Sequence, residues 1–155
     1  GDLQLCIMKL LIKAFYQYFE NVRWGIIALA AMALLRFALK PLGVPYGTGS
    51  QLASMSVLLP VLMVLYSMRA GRESWGDRDI LGIAAALGLI NWLLIMGAIA
   101  LDESLGLQTY FTDPEHVGSL DTATHMAGHT IASLVFTLIL WGMGCLLRRF
   151  AVKPE

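Results

Sequence analysis

Long apolar runs alternate with short polar connections along this chain, and four of these runs are candidates for membrane-spanning helices. A helix rises about 1.5 Å per residue, so about 20 apolar residues cross the hydrocarbon core of a bilayer. The run that contains Asn91 meets that length, the run that contains Arg36 is the shortest, and the run that contains Pro60 should bend there. The predicted spans cover residues 24–39, 52–68, 80–101 and 122–147.

A different, amphipathic pattern occupies residues 1–22. Apolar and aromatic residues recur at helical spacing on one side, and charged or amide residues recur on another. The apolar side holds Ile7, Leu11, Ala14, Tyr18 and Val22, and the polar side holds Lys9, Lys13, Gln17 and Glu20. This pattern predicts a helix that lies in the membrane interface. The alternative is that the segment simply lengthens the first span.

The composition agrees with a membrane protein. Of the residues, 57% are hydrophobic and only 14% are charged, against about 25% charged residues in an ordinary soluble domain. The formal net charge is zero, so we do not expect nucleic acid as a partner. Cys6 and Cys145 fit neither a redox pair nor a disulfide framework. We predict an all-α integral membrane protein, in which residues 1–155 form one four-helix transmembrane bundle with an N-terminal amphipathic interfacial helix.

The distribution of cations predicts the orientation of the spans. Lys and Arg accumulate in the cytoplasmic connections because they resist translocation. With four spans, only Arg36 and Lys40 fall on the opposite side, where residues 102–121 contain acids but no Lys or Arg. The other cations are Lys9, Lys13, Arg23, Arg69, Arg72, Arg78, Arg148, Arg149 and Lys153. We therefore expect a protein of a bacterial-type cytoplasmic (inner) membrane, with both termini in the cytoplasm.

Small residues should let the spans approach one another closely. Helices in lipid associate through backbone contact at Gly and Ala and through interhelical hydrogen bonds. The third span carries Ala84 and Gly88 four residues apart, and Asn91 follows as a candidate interhelical tie. Such faces serve equally for packing within the chain, between copies in a homo-oligomer, or against the subunits of a larger membrane complex.

The three histidines give the sequence its one concentrated chemical signal. His116, His125 and His129 lie near the predicted outer end of the fourth span, and His125 and His129 are one helical turn apart. Imidazoles at positions i and i+4 can converge on one metal ion. Asp121 precedes His125 by the same step of four, as a third ligand or as the carboxylate that orients an imidazole. The predicted metal ligands are therefore His125, His129, Asp121 and His116.

Other polar residues are candidates for the same site. Asp113 and Glu115 could complete it from the preceding loop, and Asn91 and Arg36 are further polar candidates. Zinc, copper and iron all suit such ligands. Haem is an alternative cofactor, but it would need its opposite axial ligand from another copy, a loop histidine or a methionine.

A purely structural interpretation competes with the metal site. The histidine pair lacks the intervening glutamate that serves as general base in HExxH metalloproteases. Asp121 equally suits the N-cap of a helix, where a carboxylate accepts backbone N–H bonds. Arg36 either pairs with Asp121 or Asp102, or extends to the membrane interface beside Lys40.

These alternatives lead to three functional hypotheses. The sequence favours a non-catalytic subunit or scaffold that packs with itself or with partner membrane proteins. The alternative is a binding or redox module that holds a metal ion or haem at the extracytoplasmic end of the fourth span. The second alternative is a metal-dependent intramembrane enzyme, for which Glu115 and Asp113 are the nearby acid–base candidates.

Overall fold

The computed structural model describes residues 16–151, and in that range the chain forms helices and connecting turns without a β-strand. Residues 16–21 are helical and lead through a turn at Val22 into the first long helix. Most of the predicted interfacial helix, residues 1–22, therefore lies outside the described residues. The helices are α1 Arg23–Leu39, α2 Tyr46–Leu52, α3 Met55–Arg72, α4 Asp77–Leu105, α5 Pro114–Val117 and α6 Thr122–Ala151.

Three helical segments of the described chain are long and apolar enough to cross a membrane: Tyr46–Arg72, Asp77–Leu105 and Thr122–Ala151. They correspond to the second, third and fourth predicted spans, and they indicate a membrane protein. Helix α1 has 17 residues, which makes it about 25 Å long and shorter than a hydrocarbon core of about 30 Å. The all-helical membrane architecture is confirmed for three helices, whereas the predicted four-helix transmembrane bundle is not confirmed.

The second predicted span differs from the structure at its start. The apolar pattern placed its first residue near 52, but Leu52 is the last residue of the short helix α2. The chain breaks at Ala53 and Ser54, and α3 begins at Met55. Helix α3 then continues through Pro60 to Arg72. No helix was predicted for residues 46–51, because their Gly, Thr and Ser content is typical of a turn.

The long helices pack around one apolar core. Helix α6 makes its main contacts with α3 and α4, and α1 lies against α4 and α3. The fully buried side chains at these contacts include Leu29, Leu59, Met63, Ile83 and Leu87. Only 11% of the apolar stretch of α6 is buried, so most of that helix presents apolar side chains outward, as a lipid-facing helix does.

Glycines let the backbones of α3 and α6 approach closely. A Cβ atom added at Gly71 would lie 2.6 Å from the carbonyl oxygen of Arg148. A Cβ at Gly144 would lie 2.8 Å from both Ile80 and Ser67. The small-residue packing expected for helices in lipid is therefore present between these segments.

Polar contacts at the two ends of the bundle show how α1 is oriented relative to α3. At one end, Arg148 donates hydrogen bonds to the carbonyl of Trp75 and, at 2.6 Å, to Asp77. The N-terminal part of α1 reaches this same end, where the N–H of Gly25 donates to the hydroxyl of Tyr66. At the opposite end, Arg36 donates to the carbonyl of Ala53, so α1 and α3 run antiparallel. That second end carries all three histidines.

A candidate metal centre of three histidines

The side chains of His116, His125 and His129 converge on one point at this end of the bundle. The Nε2 atoms of His125 and His129 are 3.0 Å apart, and those of His116 and His129 are 3.3 Å apart. One ring nitrogen from each histidine lies within 4.8 Å of the other two. Two of the four predicted ligands, His125 and His129, thus come from α6, and His116 comes from the short helix α5.

Two of the three nitrogen–nitrogen separations match the geometry of a metal ion held by imidazoles, and the third lies within 4.8 Å. Zinc binds histidine nitrogen at about 2.0–2.1 Å, and tetrahedral angles at the ion then place neighbouring nitrogens about 3.3 Å apart. The observed 3.0 and 3.3 Å lie close to that value. Three histidine ligands also leave a fourth coordination position open, which is typical of zinc ions that carry a water or a substrate.

Hydrogen bonding alone satisfies this cluster poorly. A neutral imidazole nitrogen is either one donor or one acceptor. The Nε2 of His129 lies near the Nε2 atoms of both other histidines, and it can form one well-aligned hydrogen bond with only one of them. The Nε2 atom of the other histidine then faces His129 Nε2 without a hydrogen bond, because either both nitrogens lack a proton or both carry one. A metal ion would accept all three lone pairs at once.

Helix α6 fixes His125 and His129, and Asp121 fixes the start of that helix. The Asp121 carboxylate accepts hydrogen bonds from the Thr124 N–H at 3.0 Å and the Thr124 hydroxyl at 2.7 Å. These two bonds lower the pKa of Asp121. Asp121 does not join the histidine cluster of the described residues, and the role that the structure gives it is the helix cap foreseen as the alternative.

Helix α5 positions His116, and Asp113 holds that helix. The Asp113 carboxylate accepts the Glu115 N–H at 2.8 Å, which caps α5, and it forms an ion pair with Lys40 after α1. Burial by itself raises the pKa of Asp113, but the hydrogen bonds from Lys40 and from the Glu115 N–H outweigh it and hold that pKa below its usual value. Asp113 thus anchors the His116 segment to α1.

A second anchor lies one segment earlier, at the end of α4. Asp102 is 1% exposed, and its Oδ2 atom accepts three hydrogen bonds. The donors are the N–H of Thr109 at 2.9 Å, the hydroxyl of Thr109 at 2.6 Å and the hydroxyl of Thr112 at 2.6 Å. This network closes the loop that leads from α4 to His116.

Aromatic contacts complete the enclosure of His116. The hydroxyl of Tyr110 donates to the carbonyls of Val44 and Pro45, which attaches the loop to the start of α2. Tyr46, the first residue of α2, stacks on the His116 ring with centroids 6.1 Å apart. The short helix α2 therefore forms one wall of the histidine cluster.

The surroundings of the cluster keep His116 neutral. Burial, together with the neighbouring His129, His125 and Arg36, lowers the pKa of His116 to about 4. Its imidazole is therefore uncharged at pH 7 and can offer a lone pair to a cation. His125 is 7% exposed, so the cluster has a largely desolvated side, where electrostatic interactions are stronger than in water.

The remaining predicted residues lie around the cluster rather than in it. Arg36 donates to the carbonyl of Ala53 at 3.2 Å and lies over the ring of Phe111. Neither Asp102 nor Asp121 pairs with it among residues 16–151. Glu115 is exposed. Asn91 is buried and lines a cavity together with His129.

Several residues that build this site were not predicted. They are Lys40, Tyr46, Asp102, Thr109, Tyr110 and Thr112. The one signal available for them was the position of Asp102, a carboxylate directly after the third apolar run, at the depth where an ionisable group needs a partner. The other residues of this list are common in loops, and their spacing along the chain does not indicate a shared site.

No protein-family model, curated protein or solved structure matches this chain. The function must therefore be argued from the chemistry of the site, since a fold class on its own does not determine function.

Proposed function

We propose that this protein is a membrane module that binds one Zn²⁺ ion through the Nε2 atoms of His116, His125 and His129. The observation that carries the proposal is the spacing of these atoms, 3.0 and 3.3 Å in the two adjacent pairs. That spacing fits an ion about 2.0–2.1 Å from each nitrogen. Neutral imidazoles suit zinc, which prefers nitrogen and sulfur ligands in a tetrahedral arrangement.

The same spacing favours a single ion over haem. Two axial histidines of a haem lie on opposite faces of the porphyrin, so the macrocycle and its iron separate their nitrogens. The Nε2 atoms of His125 and His129 are in hydrogen-bonding range of each other, which leaves no room for a macrocycle between them. A haem held between these two histidines is therefore not part of the proposal, and a haem whose opposite axial ligand comes from another copy or from a methionine stays a separate prediction.

Binding is favoured over hydrolysis by the positions of the nearby acids. A metal-dependent hydrolase needs a general acid or base within reach of the metal-bound water. Asp113 is engaged by Lys40 and the Glu115 N–H, and the Glu115 side chain is exposed. No carboxylate joins the histidine cluster in the described part of the chain. The proposed module therefore holds an ion with one open coordination position. The scaffold hypothesis stays a separate prediction.

We further propose that α1 forms a fourth span and that both termini lie in the cytoplasm. The antiparallel arrangement of α1 and α3 supports the fourth span. Arg69 and Arg72 end α3, Arg78 begins α4, and Arg148 and Arg149 end α6, so these cations gather at the end of the bundle away from the histidines. The positive-inside rule then puts the metal site on the extracytoplasmic side of the membrane.

Metal analysis of detergent-purified protein tests the proposal. The affinity tag must be removed first, because a polyhistidine tag binds the same ions. We expect about one zinc ion per chain in the wild type. Loss of a group that merely orients a metal ligand costs about 10–100-fold in affinity, so His116→Ala, His125→Ala and His129→Ala should each lower zinc affinity at least as much.

Glu115→Ala is the matched control. Glu115 was a candidate from the sequence, but its side chain is exposed and lies outside the histidine cluster, so this variant should keep zinc binding close to that of the wild type. Metal-free wild-type protein that also fails to take up added zinc would refute the proposal. Equal zinc affinity in the wild type and the three histidine variants would refute it as well.

A further inference from the structure

A cavity of about 270 Å³ adjoins the histidine cluster on the side facing the middle of the bundle. Its polar wall is formed by His129, Asn91, Ser56 and Ser133, and its apolar wall includes Met55 and Phe136. The volume lies just below the range of about 300–1,000 Å³ that is usual for ligand pockets. It accommodates a small molecule or the polar end of a larger one.

Asn91 lines this cavity and carries a buried polar atom without a hydrogen-bond partner among the described residues. The residue is 7% exposed, and its Oδ1 atom has no hydrogen-bond partner among residues 16–151. A buried polar atom left without a partner destabilises the folded protein. Asn91 was expected to be an interhelical tie, but its carbonyl oxygen is not tied to another described residue. A ligand that brings an N–H or O–H donor would satisfy it.

The access to the cavity indicates where such a ligand comes from. Ser56 on α3 and Ala132 on α6 both line the cavity and are both exposed. They lie within segments long and apolar enough to cross a membrane, so the surface around them is one that a bilayer would cover. A ligand can therefore enter sideways from the lipid, which favours an amphipathic molecule over a water-soluble ion.

The lining also restricts the charge of the ligand. The cavity wall contains no Asp, Glu, Lys or Arg among the described residues. A charged group would find no opposite charge there and would lose its hydration. Only the proposed metal ion beside His129 would attract an oxygen with partial negative charge.

We infer that this cavity is the ligand pocket of the metal site, and that it receives the polar end of a bilayer-soluble alcohol or amide. The donor hydrogen of the ligand bonds to Asn91 Oδ1, an oxygen of the same end occupies the open coordination position of the metal, and the alkyl part follows the apolar wall. This inference rests on the metal function proposed above.

Cobalt-substituted protein in detergent provides the test, because the visible spectrum of Co²⁺ responds to each change in its coordination. The probe is octanamide, which has one carbonyl oxygen for the open coordination position, an N–H donor and an alkyl tail. Acetamide has the same polar end without the tail. We expect octanamide to bind the wild type at least about tenfold more tightly than acetamide does, because its longer alkyl part is buried against the apolar wall.

Two variants test the walls of the pocket separately. Asn91→Leu removes the acceptor at nearly constant volume, and it should weaken octanamide binding about fivefold, the equivalent of one hydrogen bond. Ala132→Phe fills the cavity and should remove the advantage of the long chain. Gly142→Phe is the control, because Gly142 lies on the same helix with open space around it. All three should bind cobalt like the wild type.

The outcomes separate this inference from the metal proposal. Failure of the wild type to bind cobalt refutes the metal site and the pocket together. Normal cobalt binding with equal octanamide affinity in the wild type, Asn91→Leu and Ala132→Phe refutes the pocket alone. Loss of affinity in these two variants, with the Gly142→Phe variant unchanged, supports the pocket.

Discussion

Replacement of Asp102 by alanine should weaken the proposed metal site, although Asp102 is not one of its ligands. The Oδ2 atom of Asp102 accepts three hydrogen bonds from Thr109 and Thr112, at 2.6–2.9 Å. Together these bonds close the loop that carries His116. Thr109 is fully buried, so its N–H and hydroxyl would lose their partner without gaining water, unless the loop opens.

The magnitude follows from the number and type of these bonds. Each hydrogen bond to a charged group contributes about 1.5–3 kcal/mol net. The three bonds share one oxygen, so their contributions overlap, and removal of one member of a buried charged network costs about 3–5 kcal/mol. We therefore expect Asp102→Ala to lower the free energy of opening of residues 106–118 by about 3–5 kcal/mol.

Hydrogen exchange measured by mass spectrometry checks this value directly. A loss of 3 kcal/mol or more means that peptides covering residues 106–118 exchange at least about 100-fold faster, since each factor of ten corresponds to about 1.36 kcal/mol. Zinc affinity should fall by about 10–100-fold, as expected when a ligand loses its support. Asp102→Asn keeps an acceptor oxygen without the charge, so its effect should be about half as large.

The neighbouring Glu103 supplies the control for this series. Glu103→Gln makes the same change of charge one residue away, on an exposed side chain that accepts a hydrogen bond from Thr122. It should leave exchange in residues 106–118 within about threefold of the wild type, as for an ordinary surface substitution. The reasoning is refuted if Asp102→Ala exchanges and binds zinc like Glu103→Gln.

Two further predictions concern packing and titration at the arginine-rich end. Gly71→Ala should lower the thermal midpoint in detergent by the equivalent of about 1–3 kcal/mol, because its Cβ would lie 2.6 Å from the Arg148 carbonyl oxygen. Gly97→Ala is the control and should leave the midpoint unchanged, because Gly97 has open space around it. Equal midpoints in the two variants would contradict the close packing of α3 and α6. Burial, and after it the hydrogen bond to Asp79, raises the pKa of Tyr18, so neutral Tyr18 contributes stability that is complete below pH of about 10 and is lost as the pH rises through the folded-state pKa. Absorbance titration of the tyrosines in the wild type and in Tyr18→Phe checks this assignment. The phenol that Tyr18→Phe lacks should be one that ionises at high pH in the wild type. If it is instead one that ionises at lower pH, the assignment is contradicted.

The local pattern of the sequence was enough for the long helices. The apolar runs around Asn91 and after Asp121 predicted α4 and α6, because a helix satisfies its own backbone hydrogen bonds and needs only apolar side chains to lie in lipid. Asp121 as an N-cap and the shared face of His125 and His129 were also within reach, since both depend on residues four or fewer positions apart. The sequence pattern could not decide whether the first apolar run crosses the membrane, because a helix of 17 residues is at the lower limit of the length that spans a bilayer.

Only the tertiary structure decided which residues join the two histidines of α6. His116 reaches them because Asp102 holds the preceding loop, Asp113 pairs with Lys40, and Tyr110 bonds to carbonyls 65 and 66 residues away. Contacts across such separations depend on how helices pack, and the spacing of residues along the chain does not encode them. The cavity beside His129 has the same origin. The sequence determined the long helices and named His116 among four candidate ligands, whereas the packing of the helices and loop brought His116, and not Asp121, to the histidine pair of α6 and formed the cavity beside it.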